Sequence, residues 1–261
     1  MTNEKNYPLV SIIMNCYNGE KFLEESLQSI IKQSYQNWEL IFWDNLSSDT
    51  SSKIIKRYKD LRIKYYLSGK FEKLYKARNS ALEKTKGDYI CFLDTDDTWD
   101  QDFLKSHIKK ILELKCDVVY SKYLILNEFR KKTYLNEKGE IPSGMITTNL
   151  LKRYLIGVNA ILLNKKIFDE FRFNPKYEII GDFDFFLRLS LCKKFFPIQE
   201  AFLTYRHHPN NFTNTNIDIY IKELKDWIKE NEYLFEKISN LNRLKINVLK
   251  LQIKKIFKFF F

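Results

Sequence analysis

LVSIIMNCYNGEKFLEESLQSIIKQSYQNWELIFWD, residues 9–44, is the stretch that decides the fold. Its opening, LVSIIMNC, is a nearly unbroken apolar run, the pattern of a strand buried on both faces. Residues 20–34 place Phe22, Leu23, Leu27, Ile30 and Ile31 at helical spacing. WELIFWD then returns to strand. Strand, helix and strand at this spacing form a parallel crossover unit. The alternation continues outward. Residues 48–59 read as a helix with Ser and Asp cap candidates, 62–67 as a strand, 73–85 as a helix ended by Gly87, and 89–93 as a fourth strand. A helix over about 100–114 and a fifth strand over 116–126 complete this half. The fold class expected is α/β, a mostly parallel central sheet flanked by helices. In such sheets ligands lie off the carboxyl ends of the strands. The polar clusters NCYN, DNLSSD and DTDD fall at those ends.

Past residue 128 the pattern is less regular. Residues 146–168 mix helix and strand signals, while GDFDFFLRLSL opens as a helix with acidic residues in its first turn, which the helix dipole favours. Apolar residues at Ile217, Ile221, Leu224, Ile228 and Phe235 mark an amphipathic helix.

With 261 residues, 44% of them hydrophobic, the chain can bury a sizeable core. Its net charge of +11 points to anionic partners without choosing among them. The four cysteines are scattered with no Cys-x-x-Cys pair, which argues against zinc and fits a reducing cytoplasm. The N-terminal apolar run is too short for a signal peptide, and no stretch nears the ~20 apolar residues of a membrane span.

The segment YICFLDTDDTWD, residues 89–100, crowds Asp94, Asp96 and Asp97 at the end of a buried strand. A divalent cation would offset their repulsion, and hard oxygen ligands suit Mg²⁺ or Mn²⁺. An acidic turn capping the next helix is the other reading of these four residues. There is no Gly-x-x-x-x-Gly-Lys-Ser/Thr loop and no Gly-x-Gly-x-x-Gly after the first strand, which argues against a P-loop NTPase and a dinucleotide site.

In this context the sequence closely resembles the family 2 glycosyltransferases of GT-A fold. Residues 10–51 match that family's opening, and ARNSAL followed by GDYICFLDTDD matches its centre, including the Asp-x-Asp motif. GDFDFFLRL is similar to its Glu-Asp-x-x-Leu-x-x-Arg segment, and YRHHPNNFT to its Tyr-Arg-x-His motif. The resemblance runs over about residues 9–213. It implies a nucleotide pocket lined by Asn15 and Tyr17, with Tyr17 against the base, Asp44 accepting from a uracil N3–H, and Arg78 near base and diphosphate. It makes Asp94 and Asp96 the Asp-x-Asp pair and assigns the cation, Mn²⁺ or Mg²⁺, to Asp96, Asp97 and His208. Which carboxylate binds the cation directly stays open. Asp182 matches the catalytic base, with Asp184 as a second, acceptor-side or orienting carboxylate. One departure stands out: the family's usual Glu before the base is Gly181 here.

The chemistry agrees. Displacing a nucleoside diphosphate from a sugar C1 builds charge that a cation neutralises, while a carboxylate on the other side takes the acceptor's proton. One base and no nucleophile implies inversion. Expected partners are a UDP-linked sugar donor and a glycan or lipid-linked glycan acceptor, such as lipopolysaccharide, lipooligosaccharide or capsule, and no nucleic acid. A sugar nucleotidyltransferase is the alternative enzyme, disfavoured because NCYNGEKF lacks a Gly-rich basic loop. A basic nucleic-acid-binding module is the non-enzymatic alternative, disfavoured because acidic loops fill the crevice.

The expected division is a glycosyltransferase domain over 1–216, with 1–125 taking the nucleotide sugar and 126–216 the acceptor, followed by a helical tail over 217–261. Wound as a helix, the end of the tail puts Ile246, Leu249, Ile253, Ile256 and Phe257 on one face, Lys250, Lys254 and Lys258 on another, and Leu244, Val248 and Leu251 on a second apolar strip. It reads either as an anchor on the inner face of the cytoplasmic membrane or as a helix packed on the domain.

Overall fold

Alternate residues of the first strand, β1 (Val10–Cys16), go to opposite faces of a sheet: Val10, Ile12, Met14 and Cys16 enter one buried cluster and Ile13 the other. This is the period of two that strands impose, and it fixes a sheet covered on both sides. The computed structural model describes residues 7–238 and 241–258, with side chains through Ile253. After β1 come α1 (Glu20–Ile31), β2 (Trp38–Asp44), α2 (Ser51–Arg57), β3 (Ile63–Leu67), α3 (Leu74–Leu82) and β4 (Tyr89–Phe92). These match the expected alternation element by element. β1 pairs in parallel with β2 and β4, and β2 with β3, so the order is β3-β2-β1-β4. The chain therefore reverses direction across the sheet between β1 and β4. The crevice at such a switch point, off the carboxyl ends of the strands, is where ligands bind.

The remaining elements are β5 (Thr98–Trp99), α4 (Phe103–Leu114), β6 (Val118–Asn127), β7 (Lys132–Leu135), α5 (Thr147–Lys152), β8 (Ile161–Asn164), α6 (Ile167–Glu170), α7 (Gly181–Ser190), β9 (Phe196–His207), α8 (Phe212–Thr215), α9 (Ile217–Glu236) and α10 (Asn242–Lys258). Here the structure departs from a simple parallel continuation. β8 lies between β4 and β6, antiparallel to both, while β9 pairs in parallel with β6. The sheet is mixed, with its first four strands parallel.

Leu23, Leu27 and Ile30 of α1 and Phe103, Leu104, Ile108 and Ile111 of α4 cover one face. The other face is covered by α3, α5, α7 and both long C-terminal helices, through Tyr75, Leu150, Phe186, Trp227, Leu244 and others. On α10 the strip Leu244, Val248 and Leu251 turns inward, whereas Ile246, Leu249 and Ile253 stay 50%, 55% and 45% exposed. Ile256, Phe257, Lys254 and Lys258 lie outside the described side chains. Gly87 is no helix terminator, since α3 ends at Leu82. A Cβ at Gly87 would stand 2.5 Å from the Ser11 amide nitrogen and 2.7 Å from the Leu9 carbonyl oxygen, so the glycine permits close backbone approach to β1.

Candidate active site

The end of β4 is a tight turn, in which the Asp97 amide donates to the Asp94 carbonyl at 3.2 Å. The Ser26 hydroxyl of α1 reaches the carbonyls of Thr95 and Asp97 at 2.8 and 2.6 Å and pins the turn to the helix layer. The turn separates the three carboxylates. Asp94 and Asp96 face a cavity of about 710 Å³, which also takes in Asn15, Tyr17, Arg78, Tyr154, Asn159 and Asp182.

Asp94 accepts from Arg78 at 2.8 Å and from the Asn159 amide at 3.0 Å. Arg78 is only 2% exposed, with its guanidinium over the rings of Tyr75, Phe92 and Phe173. Asp96 meets His208 Nε2 at 3.0 Å and the Asn211 amide at 3.3 Å. Burial first, and then the charge of Asp94, push the Asp96 carboxyl above its ordinary range. Asp97, expected among the cation's ligands, points into the protein instead. It is 1% exposed and accepts from the Arg206 amide at 2.9 Å and from Asn159 at 2.5 Å. Burial, then Asp96 and Asp94, raise it well above the usual carboxylate range.

A divalent cation fits Asp96 and His208: one hard oxygen and one imidazole, beside carboxylates whose repulsion it would relieve. Among the described residues no group of three or more His, Cys, Asp or Glu could hold a metal. A site completed by substrate phosphates is the ordinary arrangement for magnesium.

The end of β1 supplies Asn15, whose side-chain oxygen and nitrogen are both buried and unpartnered, and Tyr17, which is 55% exposed and meets Phe71 edge-on at 4.9 Å. An aromatic pair at the mouth and an unsatisfied amide behind it make a receptive end for a planar, polar ligand. Asp44 sits below this end. It is 1% exposed, takes the Tyr65 hydroxyl and the Ser47 amide at 2.8 Å each, and does not line the cavity. Its side chain fixes the turn after β2.

Asp182 stands in the first turn of α7. Tyr75 donates to its Oδ1 at 3.0 Å and Tyr154 to its Oδ2 at 3.1 Å. Burial raises its carboxyl above the ordinary value, and Arg78 and the two hydroxyls oppose that rise. Asp184 faces away from the cavity. It accepts from Arg188 at 2.9 Å and Trp227 Nε1 at 3.1 Å, locking α7 onto α9. Tyr75, Tyr154 and Asn159 carry no sequence signal for a site, because chain segments far apart bring them in. Arg206 had a signal in YRHH. It donates to Glu25 at 2.6 Å and to Glu128 at 3.2 Å, and its Nε donates to the Asp96 carbonyl at 3.0 Å.

A sequence profile described as "Glycosyl transferase family 2" matches residues 11–172. The chain is 33% identical over 185 residues, 71% of it and 70% of the relative, to the UDP-Glc:alpha-D-GlcNAc-diphosphoundecaprenol beta-1,3-glucosyltransferase WfgD of Escherichia coli. It is 30% identical over 208 residues, 75% of it and 68% of the relative, to the amylovoran biosynthesis glycosyltransferase AmsB of Erwinia amylovora. Among solved structures it is similar to S. aureus TarS in complex with UDP-GlcNAc, with a TM-score of 0.66 at 17% identity over 84% of this chain and 66% of that one. It is also similar to mannosyltransferase PcManGT from Pyrobaculum calidifontis in complex with GDP-Man and Mn²⁺, with a TM-score of 0.63 at 15% identity over 86% of this chain and 65% of that one. This chain thus spans just under two thirds of each solved chain.

Proposed function

The chain belongs to glycosyl transferase family 2, and on that premise we propose that it moves a hexose, with inversion, from a UDP-linked donor to a hydroxyl of a lipid-linked surface glycan. Asn15, Tyr17, Arg78 and Asp94 would receive the donor: the base at the Tyr17–Phe71 pair and the diphosphate toward Arg78 and Asp96. Asp44 would support this end from below. Asp96 and His208 would hold Mn²⁺ or Mg²⁺, with Asp97 bracing the turn behind them. When bound, the cation neutralises charge on the departing diphosphate.

Asp182 is the base in this reading. It takes the acceptor hydroxyl's proton, the acceptor oxygen bonds to C1, and the diphosphate leaves with the electrons of the bond it gives up. General-base assistance of this kind contributes ~10²–10⁴-fold. Asp184 would act at one remove, by holding α7 in place.

The observation that carries the proposal is that one cavity joins the Asp94–Asp96 turn to Asp182, with the buried Arg78 paired to Asp94 and electrostatically coupled to Asp182. A lipid-linked acceptor is supported by the cavity's apolar lining from α5, α9 and α10, through Leu150, Leu151, Leu224, Leu244 and Leu251. The acceptor printed in the name of the WfgD relative points the same way. The outer face of α10 would lie against an anionic membrane. No helix among the described residues is long and apolar enough to cross one.

Melting curves with a panel of nucleotide sugars and Mn²⁺ test this reading. UDP-hexoses should raise Tm, and chelator should remove both that rise and transfer to a diphospholipid-linked acceptor. Full transfer in excess chelator, or no rise with any nucleotide sugar, would overturn it.

A further inference from the structure

Gly181 opens α7 beside the proposed base, and its backbone is not in the left-handed region, where only Gly144 among the described glycines lies. Space is what demands the glycine. A Cβ there would stand 2.3 Å from Tyr75 Cδ2, 2.4 Å from Cγ and 2.6 Å from Cε2. The ring cannot swing aside. Tyr75 is 2% exposed, packed on Phe173 at 5.6 Å, with the Arg78 guanidinium 5.3 Å from its centroid. Any side chain at position 181 would collide with the Tyr75 ring, so the glycine and the tyrosine go together.

That hydroxyl has one hydrogen and two acceptors in reach: Asp182 Oδ1 at 3.0 Å and the Ile179 carbonyl at 2.8 Å. We propose that Tyr75, with Tyr154 on the other carboxylate oxygen, forms a hydroxyl clamp that holds Asp182 in place in both of its protonation states, and that Gly181 is the matched partner making room for it. This rests on Asp182 being the base.

While Asp182 is a carboxylate, Tyr75 donates to Oδ1. When Asp182 has taken the acceptor's proton, on a lone pair the clamp leaves free, Tyr154 still donates to Oδ2, and Tyr75 donates to Oδ1 or turns its hydrogen to the Ile179 carbonyl. The acceptor O–H bond breaks, an Asp182 O–H bond forms, and the freed electron pair goes to C1. Neither tyrosine gains or loses a proton. A carboxylate offers about four lone-pair sites, so two clamped oxygens still leave room for the acceptor hydroxyl. The clamp keeps the carboxylate from rotating off the line of attack, and misplacement of that kind is expensive in rate. Tyr75 and Tyr154 are positioning residues. The other groups facing Asp182 are Arg78 of α3, Tyr123 of β6 and Tyr220 of α9.

The test is Tyr75→Phe, which keeps the packed ring and removes only the hydroxyl. Donor KM should stay within about twofold and kcat should fall about tenfold, the worth of one hydrogen bond to a charged group. The acidic limb of kcat/KM should move to higher pH, because a carboxylate that loses a donor holds its proton more tightly. Gly181→Glu alone should melt early, and adding Tyr75→Ala should restore part of the loss. Unchanged kcat and an unmoved acidic limb in Tyr75→Phe would overturn the clamp. An absence of rescue by Tyr75→Ala would overturn the matched pair. Asp182→Asn separates this from the underlying reading: it should bind donor normally and lose transfer by ~10²-fold or more, and full activity there would overturn the base assignment instead.

Discussion

His107 has no part in the cavity, yet its charge bears on acid stability. It is fully buried on α4, its ring 4.1 Å from that of Phe103, with Nδ1 on the Phe103 carbonyl at 2.7 Å and the Ala160 backbone also facing the ring. Burial pulls its pKa down to about 4. In the unfolded chain it titrates near ~6.5. Between these values the unfolded state binds more protons, so this stability is complete above the unfolded pKa and is lost as pH falls toward the folded one. The loss is about 3 kcal/mol. His107→Leu should match the parent at pH 7.5 and lose roughly 2 kcal/mol less than it at pH 4.5, read by denaturant unfolding. A parallel decline in both proteins would refute the assignment. At this scale the sequence spoke through charge and motif, singling out three crowded carboxylates and Asp182, and the structure sets Asp94, Asp96 and Asp182 around one cavity. The sequence could not say that Asp97 turns inward, because that depends on Asn159 and Arg206, which arrive from distant segments.

Elements were legible where period and burial agreed. β1, β2 and β4 are buried apolar runs, and α1 and α4 keep a single apolar stripe. β9 was not legible. Its sequence FPIQEAFLTYRH starts beside Pro197, and its pairing with β6 shifts register around Lys122, so no clean alternation survives. The insertion of β8 between β4 and β6 is a matter of long-range pairing, which no local pattern records. Close approach between elements yields a sharper expectation. The atoms nearest a Cβ at Gly87 are the Ser11 amide nitrogen and the Leu9 carbonyl oxygen, and backbone cannot step aside as a side chain does. Gly87→Val should therefore cost at least ~2 kcal/mol, as overpacked sites do. Gly69→Val, with nothing within 4 Å, serves as the control for thermal melting. Equal melting of the two variants would show that β1 yields.

For the molecule as a whole, α10 joins two tasks. Leu244, Asn247 and Leu251 line the cavity, and Leu244 and Val248 are buried in the core, while Ile246, Leu249 and Ile253 face solvent. The sequence offered anchor and packed helix as alternatives, and the inward strip shows the packing. The outward strip carries the membrane expectation. Ile246→Glu with Leu249→Glu should abolish binding to anionic vesicles while leaving Tm and transfer to a soluble acceptor intact. Leu244→Glu should lower both. Undiminished vesicle binding by the doubly charged face would remove the membrane from the account. The site's span along the chain also has a consequence for how the protein is made. Asp96 and His208 are 112 positions apart, and Asp97 and the Arg206 amide 109. At ~5–20 residues per second, the ribosome takes roughly 5 to 20 seconds to cover that distance. Throughout that interval the parallel half of the sheet can form on the nascent chain, but its acidic turn waits without the groups that later receive it. If Asp96 and His208 together hold the cation, that site cannot assemble before residue 208 has left the ribosome, however early the parallel half of the sheet has formed.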